Sequence, residues 1–451
     1  MFQNYIAHYF KFASFHTHFK QEVIAGATSF ITMAYIIIVN PKILSAAGFP
    51  QDASMIATIL SAAFGSLLMG LYANRPFCVA PYMGHNAFVA YTVVEVLGFS
   101  WQVALGGIFL GGLLFTILTL LNIRKILIES IPFCLKIAFS IGVGLFLIFI
   151  GLHETKIIHA GSDPISGPLT SLGTLNTPTV LLGILTFILM CMGLVCKIRP
   201  TLLISMFITT GLGLILGLLD MPKEWLTYPG SFNNMTGVGT FMVLDVVHAI
   251  RLDFLPVIFT IFILIFVDSV GTLTAMGQKA NLLDANGNLP QIEKPMLCHA
   301  LATLFAAILG TTTTGTHAES AAGIETGGRT GLTAVVAGIL FLLALYLTPL
   351  LTLVPAYAYG PALVVVGMHM ICSAKYLNFD DLTDMIPALT IITLMTFTYN
   401  LAVGMAAGFL MYPLLKMLSK KGKTSQLPRG LWIWIVLSLL FFICYPYPPS
   451  P

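Results

Sequence analysis

The stretch "GTTTTGTHAESAAGIETGGRTG", Gly310–Gly331, decides how the whole chain is read. It places four consecutive threonines, a histidine and two glutamates between the apolar runs "LATLFAAIL" and "LTAVVAGILFLLALYL". The stretch begins extended and polar, then carries only a brief helix, too short to cross a bilayer on its own. Hydrocarbon tolerates such irregular backbone only where it is buried in protein or borders a water-filled cavity.

The rest of the chain supplies the hydrocarbon context. Of 451 residues, 57% are hydrophobic and 9% charged, whereas globular chains carry roughly 25% charged residues. Runs such as "VIAGATSFITMAYIIIV" and "VLLGILTFILMCMGLVC" approach the ~20 apolar residues that span a bilayer as helix. The fold class is therefore an all-α polytopic membrane protein, with about fourteen transmembrane segments between Glu22 and Leu418. The first run, from near Val23, reads as a retained span rather than a signal peptide. A net charge of +3, scattered along the chain, excludes nucleic acid as a partner. Seven dispersed cysteines without a CxxC pair read as small packing residues.

A second interrupted segment accompanies the first. "APYMGHNAFVAYTVVEV", Ala80–Val96, starts with proline and glycine and gives only a few helical turns. It is third in order and Gly310–Gly328 is tenth, so with seven segments per half they are equivalent. Such a pair marks the midplane site of a transporter built from repeats. Because seven is odd, the second half enters from the opposite side and the repeats are inverted. The division that follows is a leader at 1–21, a first repeat at 22–220, a connection at 221–253, a second repeat at 254–418 and a C-terminal portion at 419–451. With the amino terminus cytoplasmic, Arg75, Arg124, Lys125, Lys136, Lys197, Arg199, Lys279, Lys294, Arg329, Lys375, Lys416, Lys420, Lys421 and Lys423 fall on the cytoplasmic side, as the positive-inside rule asks. The run Leu431–Tyr445, with Trp432 and Trp434, either crosses the membrane or lies at its interface.

An ionisable residue deep in a span costs ~2.5–3.5 kcal/mol on insertion scales and usually faces a cavity or a partner. Asp268, inside "FTIFILIFVDSVGTLTAMG", and Glu319, at the start of the brief helix, meet that description. Either is read as a substrate-binding or proton-titrating carboxylate; the alternatives are a helix-packing acid and a helix cap. A carboxylate at Glu319 accepts hydrogen bonds from the ring N–H groups of a planar ligand, while backbone amides nearby, that of Ala318 among them, serve its carbonyls. Asn86 offers both donor and acceptor, or caps its own helix. Thr32, Thr28 and Thr272 are packing hydroxyls or site groups. His85 and His317 stand beside the two short elements, and histidine titrates near neutral pH. Glu325 and Arg329 are expected to pair at the cytoplasmic edge.

Motifs for catalysis are absent: there is no GxSxG, HExxH, Walker loop or CxxC. "LLDANGNLPQIEKP" has a passing likeness to a calcium loop but lacks its later ligands, so a turn through Asn286 and Gly287 is expected there. The chain is read as no enzyme, with no cofactor and no metal. An uphill transporter without an ATPase motif uses an ion gradient. Buried carboxylates point to protons, because protonation removes a charge that is costly in low dielectric.

"EVIAGATSFITMAYIIIVNPKIL", "MGHNAFVAYTVV", "FVDSVGTL" and "ESAAGIETGGRTGLT" resemble, in order and spacing, the signature segments of the AzgA-like purine permease branch of the nucleobase-cation symporter (xanthine/uracil permease) family. The resemblance covers Glu22 to Lys416. It implies fourteen segments in two inverted seven-segment repeats, arranged as core and gate domains, a multi-pass inner or plasma membrane location and a homodimer through the gate domain. It also implies import of hypoxanthine, guanine or adenine, usually with protons. By motif position the family's carboxylates fall on Asp268 and Glu319, the proton-coupling pair, and its segment-three asparagine on Asn86. Thr32, His317 and Ala318 complete the expected substrate-binding set. The chain departs from the pattern at His85, Gly271, His317, Glu325 and Thr326.

Overall fold

The first segment shows how the helices meet the requirements of a membrane interior. Phe19–Ala46 is apolar over 28 residues, but it is two abutting helices, Phe19–Met33 and Tyr35–Ala46. At the junction the Ile37 amide reaches back only to the Ala34 carbonyl, 3.2 Å, a tightened turn between the two helices. The computed structural model describes residues 2–121, 131–160, 170–221, 225–226, 239–284, 289–398, 400–418 and 430–444. Arg124, Lys125, Lys420, Lys421 and Lys423, and the expected turn at Asn286 and Gly287, lie outside the described residues.

Along the chain, segment 2 is Gln51–Leu71, segment 4 Trp101–Leu120 and segment 5 Phe133–Glu154. Segments 6 and 7 are Pro178–Val195 and Thr201–Ile215; segments 8 and 9 are Leu255–Lys279 and Glu293–Leu309. Segments 11 to 14 are Gly331–Thr352, Ala356–Tyr376, Leu382–Phe397 and Leu401–Leu418. Among the described residues nine helices are long and apolar enough to span a bilayer, and segments 7 and 13 are shorter apolar helices.

Segments 3 and 10 are the interrupted ones. Segment 3 is strand β1 (Val79–Pro81), a short helix Met83–Ala87 and a π-helical stretch Phe88–Val96. A small hairpin of β2 (Ile158–Ala160) and β3 (Thr170–Leu172) joins segments 5 and 6. Segment 10 is strand β4 (Thr314–Thr316) followed by the helix Ser320–Glu325. β1 and β4 pair antiparallel, with Val79 opposite Thr316, Ala80 opposite Gly315 and Pro81 opposite Thr314. Antiparallel pairing of equivalent elements is what two inverted repeats produce.

Extended backbone this deep must find hydrogen-bond partners. Each strand finds one hydroxyl from the helix preceding it by one place. Ser66 of segment 2 accepts from the Val79 amide at 2.9 Å and donates to the Val79 carbonyl at 3.0 Å. Thr303 of segment 9 does the same for Thr314, at 3.1 and 3.3 Å. The repeat is thus visible in the hydrogen bonding as well as in the order of segments. At the crossing itself Gly315 is required, since a Cβ there would enter the ring of Tyr82.

The helices around the crossing pack in two sets. Segments 1, 2, 4, 8, 9 and 11 pack mainly on one another and on the strands; segments 5, 6, 7, 12, 13 and 14 form the second set. These are the core and gate bodies. In the gate, segments 5 and 12 approach backbone to backbone at Gly144 and Gly367, where a Cβ on either would meet the other's carbonyl. Leu431–Cys444 is a further helix against segment 14 and segment 8. Trp434 is buried there, stacked on Phe409 at 5.6 Å between centroids, whereas Trp432 is exposed.

Candidate substrate site at the strand crossing

The crossing leaves the starts of the helices Met83–Ala87 and Ser320–Glu325 in the protein interior, together with the middle of segment 8. Glu319 sits at the N-cap position of the second helix without capping it through its side chain. Its Oε1 instead accepts from the Tyr35 hydroxyl at 2.5 Å, and its Oε2 lies 3.5 Å from His317 Nδ1. The Thr32 hydroxyl lies 3.4 Å from the Glu319 carbonyl oxygen and also donates back along its own helix to Thr28 and Ser29.

The second carboxylate has a matching arrangement. Asp268 Oδ2 lies 2.8 Å from His85 Nε2, and His85 Nδ1 lies 2.6 Å from the Thr313 hydroxyl. Tyr82 joins the two halves of the site. Its ring is 4.8 Å from that of His85 and stacks at 5.5 Å and 28° on that of His317, and its hydroxyl is 3.3 Å from Thr272 Oγ1. The side chains of Asp268 and Glu319 are 18% and 22% accessible, against 2% and 8% for His85 and His317. Each carboxylate is therefore the more accessible member of its pair, and each histidine the more buried. A planar ligand with N–H groups on its edge meets acceptors on two sides and an aromatic row between. An opening of about 250 Å³ lies elsewhere, between segments 8 and 14 and the terminal helix. Its walls are Phe259, Phe409, Phe441 and other apolar side chains with only Thr260 and Ser438 polar, so it lacks acceptors for such a ligand.

The sequence profile of the permease family, the xanthine/uracil permeases, matches residues 20–407. The chain belongs to the xanthine/uracil permease family. Within this family, it is 38% identical over 442 residues to the adenine permease AdeP of Escherichia coli strain K12, covering 98% of this chain and 96% of that protein. It is 36% identical over 444 residues to the guanine/hypoxanthine permease PbuG of Bacillus subtilis strain 168, covering 96% of this chain and 99% of that protein. Such relatives are permeases rather than enzymes. Among solved structures, the transmembrane domain of a cyanobacterium bicarbonate transporter, BicA, superposes with a TM-score of 0.62 at 15% identity, over 87% of this chain and 98% of that one. At that identity the likeness is one of fold: the inverted-repeat transporter architecture in a multi-pass membrane protein.

Against the residues singled out from the sequence, the permease brings Glu319, His317, Thr32 and Asp268 to the crossing. Ala318 lies on the turn between His317 and Glu319, and the amide of Ala321 bonds back to its carbonyl at 3.0 Å. Asn86 is fully buried, its amide oxygen accepting from the Thr312 hydroxyl; it ties segment 3 to the threonine run. The pairing expected of Glu325 with Arg329 does not form. Glu325 meets Lys279 at 3.2 Å. Arg329 turns its guanidinium to the Ile324 and Gly328 carbonyls, and its amide to Glu22, because the Gly327-Gly328 turn folds it back over its own helix end.

Four residues of consequence escaped the sequence reading. Tyr35 lies three places after Thr32, a spacing that brings side chains to one face of a helix. Tyr82 precedes the helix of segment 3 by one residue. His299 is the lone ionisable group in the middle of segment 9, and the burial cost that selected Asp268 selects it equally. It takes the Thr316 amide on Nε2 at 3.0 Å and places Nδ1 2.9 Å from Ser269, fastening β4 to segment 8. Glu22 is buried and accepts from the Arg329 and Thr330 amides and the Thr333 hydroxyl, closing the start of segment 11.

Proposed function

We propose that the chain is a secondary active transporter that imports purine nucleobases of the guanine, hypoxanthine and adenine class by proton symport. The observation that carries this reading is the pair of partly accessible carboxylates, Glu319 and Asp268, at a crossing of interrupted segments in a permease fold. Glu319 accepts the ring N–H edge of the base, the backbone N–H groups of the Ala318–Glu319 turn stand beside its carbonyl, and the rings of Tyr82 and His317 line the plane. Protonation at one of the two carboxylate centres, on the acid or on the histidine paired with it, neutralises the site for the low-dielectric passage. Access alternates as the core set of segments moves against the gate set about the site, with the repeats at 22–220 and 254–418 and the amino terminus in the cytoplasm of a cell whose inner or plasma membrane holds the protein. The relatives support the substrate class, since their names record adenine in one case and guanine and hypoxanthine in the other.

An anion carrier on the same fold is the rival. It needs a basic or neutral site, and two carboxylates oppose it. The deciding experiment is uptake of radiolabelled adenine, guanine and hypoxanthine by purine-auxotrophic cells expressing the chain, with and without a protonophore. Accumulation of at least one base that collapses with the protonophore is expected. Indifference to all three bases overturns the substrate, and indifference to the protonophore overturns the coupling alone.

A further inference from the structure

Three buried histidines surround the crossing, and their partners set different limits on how many protons each can hold. A backbone N–H only donates and a carbonyl only accepts, so partners of these kinds fix the state of a ring nitrogen. His299 Nε2 has the Thr316 hydroxyl at 2.8 Å and receives the Thr316 amide at 3.0 Å; since the amide can only donate, that nitrogen keeps its lone pair and the ring stays neutral. His317 places Nε2 3.0 Å from the Pro81 carbonyl oxygen and Nδ1 3.5 Å from Glu319 Oε2. Nε2 therefore carries a proton. The Nδ1 edge keeps one too, on the ring or on the acid, because a lone pair facing a carboxylate is repulsive.

His85 differs from both. Its Nε2 faces the Asp268 carboxylate at 2.8 Å, and its Nδ1 faces the Thr313 hydroxyl at 2.6 Å. A hydroxyl can donate to a neutral ring or accept from an imidazolium. His85 can thus gain a proton without losing either hydrogen bond. The groups around it are few. Segment 8 contributes Asp268, its own segment contributes Tyr82, and beyond the Tyr82 ring stands the His317–Glu319 pair. Segment 1 brings Tyr35, bonded to Glu319, and Lys42, bonded to the Thr352 carbonyl. Segment 5 presents Val143 beside Gly84 and holds its ionisable residues Lys136, His153 and Glu154 near its ends.

We propose that His85, paired with Asp268, is the group that carries the coupling proton, and that Thr313 is a positioning residue whose hydroxyl reverses direction as the proton arrives and leaves. The inference rests on the proton-coupled purine reading given above. The proton comes from water on the side to which the site is open and adds to the Nδ1 lone pair. Nε2–H still donates to Asp268, and the pair passes from net negative to neutral. Release to the other side restores the lone pair and turns the Thr313 hydroxyl back to a donor. Glu319 is left free to hold the base.

The test uses the full chain in proteoliposomes under an imposed pH gradient, with whichever of radiolabelled adenine, guanine and hypoxanthine the natural chain accumulates. His85→Gln keeps an N–H toward Asp268 but takes up no proton. It is expected to lose accumulation, reaching only the level set by a protonophore, while exchange of labelled for unlabelled purine continues at a reduced rate. Thr313→Val removes the acceptor that an imidazolium needs more than a neutral ring does, and is expected to shift the pH profile of uptake toward acid. Accumulation by His85→Gln with an unshifted pH profile overturns the proposal. If that variant does not fold, an unchanged profile in Thr313→Val overturns it. A natural chain that accumulates purine without regard to the pH gradient also overturns it, and one that moves no purine overturns the reading beneath it instead.

Discussion

At Glu319 both oxygens already have a neighbour in the protein: the Tyr35 hydroxyl donates to Oε1 at 2.5 Å, and His317 Nδ1 stands 3.5 Å from Oε2. A ligand that takes the same carboxylate has to share it with one of them. The acid itself is indispensable in this arrangement, because an amide at 319 offers one acceptor and turns an N–H₂ toward existing donors. Glu319→Gln is therefore expected to lower initial uptake by roughly a hundredfold, the equivalent of two charge-assisted bonds weakened. Size-exclusion chromatography in detergent should still show folded protein; loss of both protein and transport points to a structural acid instead. Tyr35→Phe removes one bond worth about 1.5 kcal/mol, so the KM for uptake should rise roughly tenfold with the maximal rate little changed. An unchanged KM means the Tyr35 hydroxyl does not orient the acid. Both carboxylates were legible in the sequence, because a charge in an apolar run stands out by itself. Their pairing was not: Tyr35 and Thr313 look like ordinary helix or loop residues until the chain is folded, and His85, though it stands out as a histidine beside a short element, comes from another segment and gives no sign that its partner is Asp268.

Among the elements, the strand crossing shows where reading ahead of the fold stops. The two interruptions and their equivalence follow from glycine, proline and polar residues at matching places. Their pairing does not, since a three-residue strand has too little periodicity to announce itself, and the residues that satisfy it, Ser66 and Thr303, are single hydroxyls inside apolar helices. Those hydroxyls give a test. Ser66→Ala and Thr303→Val each leave a buried backbone N–H and C=O short of a partner, a loss of about 1–3 kcal/mol, whereas Thr303→Ser keeps the bond. Thermal unfolding of the purified protein should show the first two lowered and the third close to the natural chain. Equal stability of Thr303→Ser and Thr303→Val would show that the methyl group's packing matters rather than the hydroxyl.

Over the whole molecule, one side chain links the two bodies away from the site. Glu154, at the end of segment 5, accepts from Tyr91 of segment 3 at 3.1 Å and from Tyr359 of segment 12 at 2.6 Å. Segment 3 belongs with the core, and segments 5 and 12 with the gate, so these bonds close that end of the interface. Glu154→Gln weakens them and is expected to raise the labelling rate of a cysteine placed at Val94 by a membrane-impermeant maleimide. No change in labelling means the bonds do not hold that end shut. The antiparallel pairing of β1 with β4 has a consequence for biosynthesis. When segment 3 enters the membrane, its strand edge has no mate until segment 10 is made, so the ribosome must deliver most of the chain before the binding site can exist. Two separately expressed halves, divided in the 221–253 connection, should each be inactive and short-lived, yet regain uptake when made in the same cell.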